Sequence, residues 1–325
     1  MATLPGSDPA AIRAAAELIA SGELVAFPTE TVYGLGARAD RDGAVRKIFD
    51  LKKRPADHPL IVHVLDEASA EFFAQPMPPA ARNLVRHTWP GPVTLILRRR
   101  PGVADAAAAG QSTIGLRSPA HPVARALLIQ AASLGVPGIA APSANRFGRI
   151  SPTAASDVRD ELGDDLAVLD GGPCPVGIES AIVDCSGERL QLLRPGTIDR
   201  GRLEEAAGEP LATVGEGAPR APGTLESHYA PRARVRLMES DALRRAWEQN
   251  AIPPSVAVYA RMPFAIEADP ARWRPMPSDP DAAARELFAV LRSLDRAGAA
   301  EIWVERPPAD ARWEGVADRL RRAAR

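Results

Sequence analysis

The sequence predicts an α/β protein in two parts: a larger mixed α/β domain over residues 1–207 and a smaller, Rossmann-like α/β domain over 232–325, joined by a linker at 208–231. Three observations predict it. Along the first 200 residues, short apolar runs alternate with amphipathic stretches, the pattern of strands and helices that share one core. Glycine and proline then crowd into Gly208, Pro210, Gly215, Gly217, Pro219, Pro222, Gly223 and Pro231 and break any regular element. After that the alternation restarts, with three apolar runs separated by helical stretches, as in a small parallel unit.

The elements follow in order. Asp8 precedes Pro9 and an alanine-rich run, so Asp8 is the N-cap and Pro9 the first residue of a helix over 10–20 that Gly22 ends. Residues 23–27 read as a strand, 43–51 as a short helix, 60–65 as a buried strand and 79–87 as a helix. Strands are expected at 93–98, 113–117 and 138–141, with a helix over 122–134 between the last two. Ser151-Pro152 marks the start of a helix over 153–162. Strands at 166–170, 180–184 and 189–194 close the domain, and the short gap before the last makes an antiparallel hairpin. Beyond the linker come strand 234–238, helix 241–249, strand 255–259, helix 280–297, strand 301–305 and helix 316–324.

Composition narrows the function. Hydrophobic residues at 46% and charged residues at 25% exclude a largely disordered chain. A net charge of -1 argues against a strongly basic nucleic-acid binder, although it leaves room for a local basic patch. No run of 18 apolar residues offers a membrane-spanning helix, and the first nine residues lack the pattern of a secretory signal. Cys174 and Cys185 form neither a CxxC pair nor a disulfide framework, which suits a reducing, cytoplasmic setting. There is no P-loop, no zinc-spaced ligand set and no GxSxG, and Ala39 stands where a dinucleotide fingerprint opened by Gly34-Leu35-Gly36 needs its third glycine. Of 40 cationic residues only Lys47, Lys52 and Lys53 are lysines, and all three fall within seven positions. Codon bias explains the arginine excess but not the clustering.

Six segments combine hydroxyls, charges, glycine and proline at strand ends. Residues 28–36 (PTETVYGLG) follow a strand, and read either as a ligand loop or as a strand-to-helix turn capped by its threonines. Lys52-Lys53-Arg54 offers three cations, for a polyphosphate or for a solvated helix end. Thr113, Gly115 and Arg117 share one strand face, where Arg117 needs an anion, from a substrate or from an internal salt bridge. Residues 141–153 run from a strand end to a helix start, a place for phosphate or for a series of turns. Residues 170–180 surround Cys174, and Arg194-Pro195-Gly196 ends the hairpin. Convergence of such segments in one domain is how α/β ligand sites are built.

Read together, PTETVYGLG, KKRPADHPL, WPGPVTL, TIGLRSPAHP, APSANRFGRISPT, LDGGPCPVGIES and LLRPGTI resemble the YrdC-like threonylcarbamoyl-AMP synthase family over residues 10–205. APGTLESHYAP and the tail are similar to its long, two-domain form. The resemblance implies an open, twisted mixed sheet with helices around a cationic cavity. It also implies a nucleotidyltransferase that joins L-threonine, bicarbonate and ATP, with Mg²⁺ accompanying the ATP, into threonylcarbamoyl-adenylate for tRNA modification by a downstream transferase complex, with little direct tRNA binding.

Carried over by position, the threonine site is expected at Thr31, His63, Arg117, Ala141 and Ser180, with Arg117 on the carboxylate. The ATP site is expected at Arg54, His58, Thr113, Ser143, Ser151 and Arg194, with Tyr229 of the linker over the nucleotide and Lys52 with Arg54 as the catalytic cations. Position 58 often carries Asn in the family; here it is His58. Family linkers also carry Lys and Tyr near the positions of Leu225 and Glu226. The competing readings are an RNA-binding module of the same fold, a carbamoyltransferase-type maturation factor, whose usual acylphosphatase and zinc-finger segments the sequence lacks, and a hydrolase using Cys174, to which no histidine is paired in the sequence.

Overall fold

The structure is a computed structural model and describes residues 3–215, 217–224, 228–261 and 269–324; Leu225 and Glu226 lie outside the described residues. The first domain contains, in chain order, β1 (Thr3–Pro5), α1 (Pro9–Ser21), β2 (Val25–Phe27), β3 (Gly34–Arg38), α2 (Asp42–Lys52), β4 (Ile61–His63), α3 (Glu67–Ala70), α4 (Pro79–Thr88), β5 (Val93–Arg98), β6 (Thr113–Arg117), α5 (Pro122–Ser133), β7 (Ile139–Ala140), α6 (Ala155–Leu162), β8 (Ala167–Asp170), β9 (Ala181–Asp184), β10 (Gln191–Arg194) and α7 (Arg200–Ala207). The second contains β11 (Arg234–Met238), α8 (Ser240–Glu248), β12 (Val256–Ala260), β13 (Trp273–Pro275), α9 (Pro280–Arg296), β14 (Glu301–Glu305) and α10 (Glu314–Ala323).

Local chemistry sets the element ends. Asp8 accepts from the Ala10 N–H at 2.9 Å, Pro9 opens α1, and Gly22 closes it at φ 91°. The ten-stranded sheet runs β1-β8-β2-β3-β7-β4-β6-β5-β9-β10. It is mixed: β4 and β6 pair in parallel, β5 and β6 antiparallel, and β9 with β10 makes the expected hairpin. Helices α1 and α5 cover one face through Ala15, Ile19, Leu127 and Ala131, and Val62, Phe73, Leu95 and Leu116 fill the core on the other. Ile61, Ile96, Ile182 and Leu193 are instead covered by Ala221 of the linker. The cavity lies under that cover.

Several expectations need correction. Residues 34–38 form a strand, so PTET bridges two antiparallel strands, β2 and β3, and is not a strand-to-helix turn. The reason is steric: a Cβ at Gly36 would lie 2.8 Å from Phe27 Cε1 and 2.9 Å from Ile139 Cγ2, so these glycines let strands close up where they would ordinarily signal a turn. β1 and β13, of three residues each, are too short to show a period. α7 buries only Leu203 and Ala207, which leaves almost no amphipathic stripe to read. α6 starts at Ala155, two residues later than expected, because the Asp157 carboxylate turns back to the N–H groups of Thr153 and Ala154 at 3.2 Å each.

The second domain is a four-stranded, all-parallel sheet in the order β11-β14-β12-β13. Its α9–α10 side packs on the first domain, where Val32, Ile150 and Ile178 join a core with Tyr229, Leu287, Phe288 and Trp313. Arg292 of α9 strengthens the junction, donating to Glu161 Oε1 at 2.9 Å and to the Ile150 carbonyl at 2.8 Å.

Candidate active site

One cavity collects residues from nearly every segment singled out above. Thr31, Lys52, Arg54, His63, Arg117, Ala141, Ser143, Ser180, Arg194 and Tyr229 all line it, together with Thr29, Asn145, Phe147, Glu179, Pro222, Gly223 and His228. β4 supplies Ile61 and His63 to one face while Val62 between them enters the core, the ordinary alternation of a strand. A β-bulge in β10 lies beside Arg194.

At one end, Arg117 is held by three protein groups. Its Nη2 lies 2.6 Å from Glu30 Oε1, its Nη1 donates to Thr31 Oγ1 at 2.9 Å and its Nε to the Gly91 carbonyl at 3.2 Å. Both readings of this arginine therefore meet: it has an internal anionic partner, and each Nη keeps a second N–H for a substrate carboxylate. His63 is buried beside it, and burial, then the Arg117 charge, depress its pKa to about 3, so the ring is neutral. The Ala141 N–H is committed to the Ile61 carbonyl at 2.9 Å, which leaves the Ala141 carbonyl to meet a ligand. Ser180 Oγ is 2.8 Å from Thr94 Oγ1 and accepts from Arg194 Nη2 at 3.2 Å.

At the other end, three cations converge. Lys52 ends α2 fully buried, and its Nζ donates to the carbonyls of Ser143, at 2.6 Å, and of Asn145. Arg54 donates to the Pro59 carbonyl at 3.0 Å and lies over the Phe147 ring at 5.4 Å. Arg194 reaches the linker, donating to the Pro222 carbonyl at 2.9 Å. Burial lowers the pKa of all three, Arg54 to about 10 and Lys52 well below its ordinary value. Glu179, which lines the cavity, is already paired with Arg319, and Glu30, between the lining residues Thr29 and Thr31, with Arg117. The cavity thus holds a surplus of desolvated positive charge, which a polyanion relieves. Four buried polar atoms on its walls also lack a protein partner: His63 Nδ1, Asn145 Oδ1, His228 Nδ1 and the Tyr229 hydroxyl.

Three expected residues stand apart from the cavity lining. Thr113 sits at the far end of β6 from Arg117, roughly 13 Å along the strand, in a separate groove with Arg98, Gln111 and Arg220. Sharing a strand face did not bring them together, because the face is longer than the cavity. His58 lies outside the lining, its ring edge-on to Phe147 at 5.4 Å between centroids; burial, then Arg54, lower its pKa. Ser151 is buried behind the wall and donates to Glu179 Oε1. Of the other lysines, Lys47 pairs with Glu23 at the surface and Lys53 is the left-handed C-cap of α2 at φ 53°.

The family described as telomere recombination (Sua5, YciO, YrdC) matches residues 17–196, and the C-terminal domain of threonylcarbamoyl-AMP synthase matches 198–325. A Bacillus subtilis threonylcarbamoyl-AMP synthase is 37% identical over 303 residues, 90% of this chain and 86% of its own. The structure superposes on Pyrococcus abyssi Sua5 complexed with L-threonine with a TM-score of 0.86, at 33% identity, covering 98% of this chain and 95% of that one. The chain belongs to the threonylcarbamoyl-AMP synthase family. An Idiomarina loihiensis threonylcarbamoyl-AMP synthase matches 44% of this chain and 76% of its own length at 38% identity.

Within this synthase-family cavity, residues beyond those expected from the sequence come into view. Glu30 lies in the PTET segment, and its pairing with Arg117 across 87 positions has no local signature. Asn145 and Phe147 lie inside a quoted segment, and their loop wraps Lys52 through the Phe147 N–H to the Lys52 carbonyl at 3.1 Å. Gly223 meets the site because a Cβ there would fall 2.3 Å from the Tyr229 hydroxyl and 2.6 Å from Arg194 Nη1. Cys174 is buried, and burial pushes its thiol pKa well up, so it lacks the thiolate that the hydrolase reading requires.

Proposed function

We propose that this chain condenses L-threonine, bicarbonate and ATP to threonylcarbamoyl-adenylate and pyrophosphate. The observation that carries the reading is the polarity of a single cavity. A paired arginine with hydroxyls and a neutral imidazole stands at one end, Lys52, Arg54 and Arg194 at the other, and the family's motif residues line both.

The chemistry follows from that layout. Arg117 and Thr31 hold the threonine carboxylate and hydroxyl, and the Ala141 carbonyl and Ser180 orient the amine. The amine adds to CO2 derived from bicarbonate and gives a carbamate. A carbamate oxygen then attacks the α-phosphorus of ATP and pyrophosphate leaves. Lys52, Arg54 and Arg194 offset the charge that grows on the phosphate oxygens, in a cavity where desolvation strengthens each contact. His63, being neutral, adds no competing charge beside Arg117. Glu179 in the lining is held by Arg319, and Glu30 by Arg117. Mg²⁺ enters as part of the ATP substrate. The linker, with Tyr229 and Pro222 on the cavity, keeps water from the labile adenylate. The product passes to a tRNA-modifying transferase partner in the cytoplasm.

The test is pyrophosphate release with ATP, Mg²⁺, labelled bicarbonate and threonine. Release must depend on both threonine and bicarbonate, and the label must appear in an adenylate. Release indifferent to either substrate overturns the proposal.

A further inference from the structure

The second domain reaches the cavity wall through one charged side chain. Arg319 of α10 is 0% exposed. Its Nε donates to Glu179 Oε2 at 2.8 Å and its Nη2 to the Glu179 carbonyl at 2.9 Å. Its Nη1 donates to the Pro195 carbonyl and to Asp318 Oδ2, each at 2.9 Å. The guanidinium also lies over the Tyr229 ring, 5.6 Å from its centre. Glu179 lines the cavity, and its second carboxylate oxygen accepts from Ser151 Oγ. Delivery of this arginine depends on a close backbone approach: a Cβ at Gly315 would lie 2.4 Å from the Gly196 carbonyl oxygen, so α10 is pressed against the turn after β10.

A buried arginine with four protein acceptors is an expensive arrangement to keep for packing alone, since an apolar side chain of similar volume is often neutral or stabilising in its place. Its distinctive product is a compensated Glu179. Without Arg319 a cavity that must receive a polyanion would present a buried carboxylate, and two like charges in a low-dielectric wall repel strongly. Burial alone would push the Glu179 pKa up, yet Arg319 first and Arg194 second bring it net below its ordinary value.

We infer that Arg319 is a positioning residue for the nucleotide end of the cavity, contributed by the C-terminal domain: it neutralises Glu179 and fixes Ser151 and Tyr229, so that ATP binds without an opposing buried charge. This assigns the second domain a part in substrate binding, and it rests on the proposed ATP-dependent reaction.

The experiment measures calorimetric binding of ATP with Mg²⁺, and separately of L-threonine, to the full-length chain without turnover. The proteins are wild type, Arg319→Gln, Arg319→Lys, Glu179→Gln and the Arg319→Gln/Glu179→Gln double variant. Arg319→Gln is expected to weaken ATP binding at least about tenfold, the scale of truncating one partner of a buried charge pair, with threonine affinity changed less than about threefold. The double variant is expected to regain ATP affinity to within about threefold of Glu179→Gln, because the stranded carboxylate is gone. Equal losses for both ligands, unchanged ATP binding in Arg319→Gln, or no recovery in the double variant would each overturn the inference. Should Arg319→Gln fail to fold, Arg319→Lys carries the test: it keeps the charge beside Glu179 and is expected to bind ATP within about threefold of wild type, and a loss of about tenfold or more overturns the inference. Wild type that binds ATP but releases no threonine-dependent pyrophosphate overturns the functional reading alone; wild type that binds no ATP overturns both.

Discussion

Arg117 Nη2 and Glu30 Oε1 lie 2.6 Å apart, with both side chains buried in the cavity wall. Glu30 Oε2 also accepts the Ala120 N–H at 3.0 Å, which anchors the carboxylate to the backbone beyond β6. The pair makes this end of the cavity, where the proposed reaction seats threonine, a fixed fork. Removing one member of a buried pair strands the other, at a cost of about 3–5 kcal/mol. Arg117→Ala is therefore expected to raise the threonine KM at least about tenfold and to lower the unfolding midpoint. Adding Glu30→Gln is expected to restore stability without restoring threonine binding. Thermal melts and threonine titrations of the single and double variants check both halves.

Lys52 presents a different kind of specificity. Its ammonium lies between the carbonyls of Ser143 and Asn145 in a fully buried position. Arginine keeps the charge, but its planar fork is longer and differently shaped. Lys52→Arg is expected to lose about 100-fold in kcat, the scale of one lost transition-state donor, with threonine affinity retained. Steady-state kinetics in ATP, compared with calorimetric threonine binding, separate the two effects.

Gly223 holds the linker on the site in a left-handed conformation at φ 71°. A methyl group there would meet the Tyr229 hydroxyl and Arg194 Nη1. Gly223→Ala is expected to displace this stretch, raise the ATP KM about tenfold or more and increase cleavage of residues 208–231 by a nonspecific protease. Mass spectrometry of the fragments, with and without ATP, locates the opening.

Acid should destabilise the fold through two histidines. Burial above all holds both His63 and His228 at a pKa of about 3, below the ordinary value of 6.5; the Arg117 charge adds to it at His63, and at His228 Glu179 opposes it while Arg54, Lys52 and Arg194 reinforce it. Below about pH 6.5 the unfolded chain takes up protons that the folded chain refuses. Stability is then complete above that pH and falls as pH drops toward about 3, by about 1.4 kcal/mol per pH unit for each histidine at the steepest. His63→Gln is expected to flatten this dependence by one histidine's share. Urea unfolding at pH 7, 6, 5 and 4 measures it.

The periodic and capped elements were legible before the fold. Asp8, Pro9 and Gly22 mark both ends of α1, the apolar run within residues 93–98 marks β5, and the hairpin at β9–β10 follows from its short loop. β3 was hidden because Gly34 and Gly36 carry the residue type of a turn, although they serve close strand packing. Thr113 shared the right face with Arg117, yet face alone sets direction and not distance. Glu30 and Glu179 sat inside quoted motifs, but their roles depend on which arginine each one meets.

The sequence by itself determined the α/β class, the order of most elements, the family and ten motif residues that line one cavity. These are local or motif-borne properties: caps, periods and residue types at fixed spacing. Only the tertiary structure decided how buried charge is balanced. Glu30 belongs to Arg117, Glu179 to Arg319 across 140 positions, and Lys52, Arg54 and Arg194 have no carboxylate of their own among the salt bridges of the described residues. Charge pairing inside a protein depends on distance and desolvation, and the folded chain alone sets both.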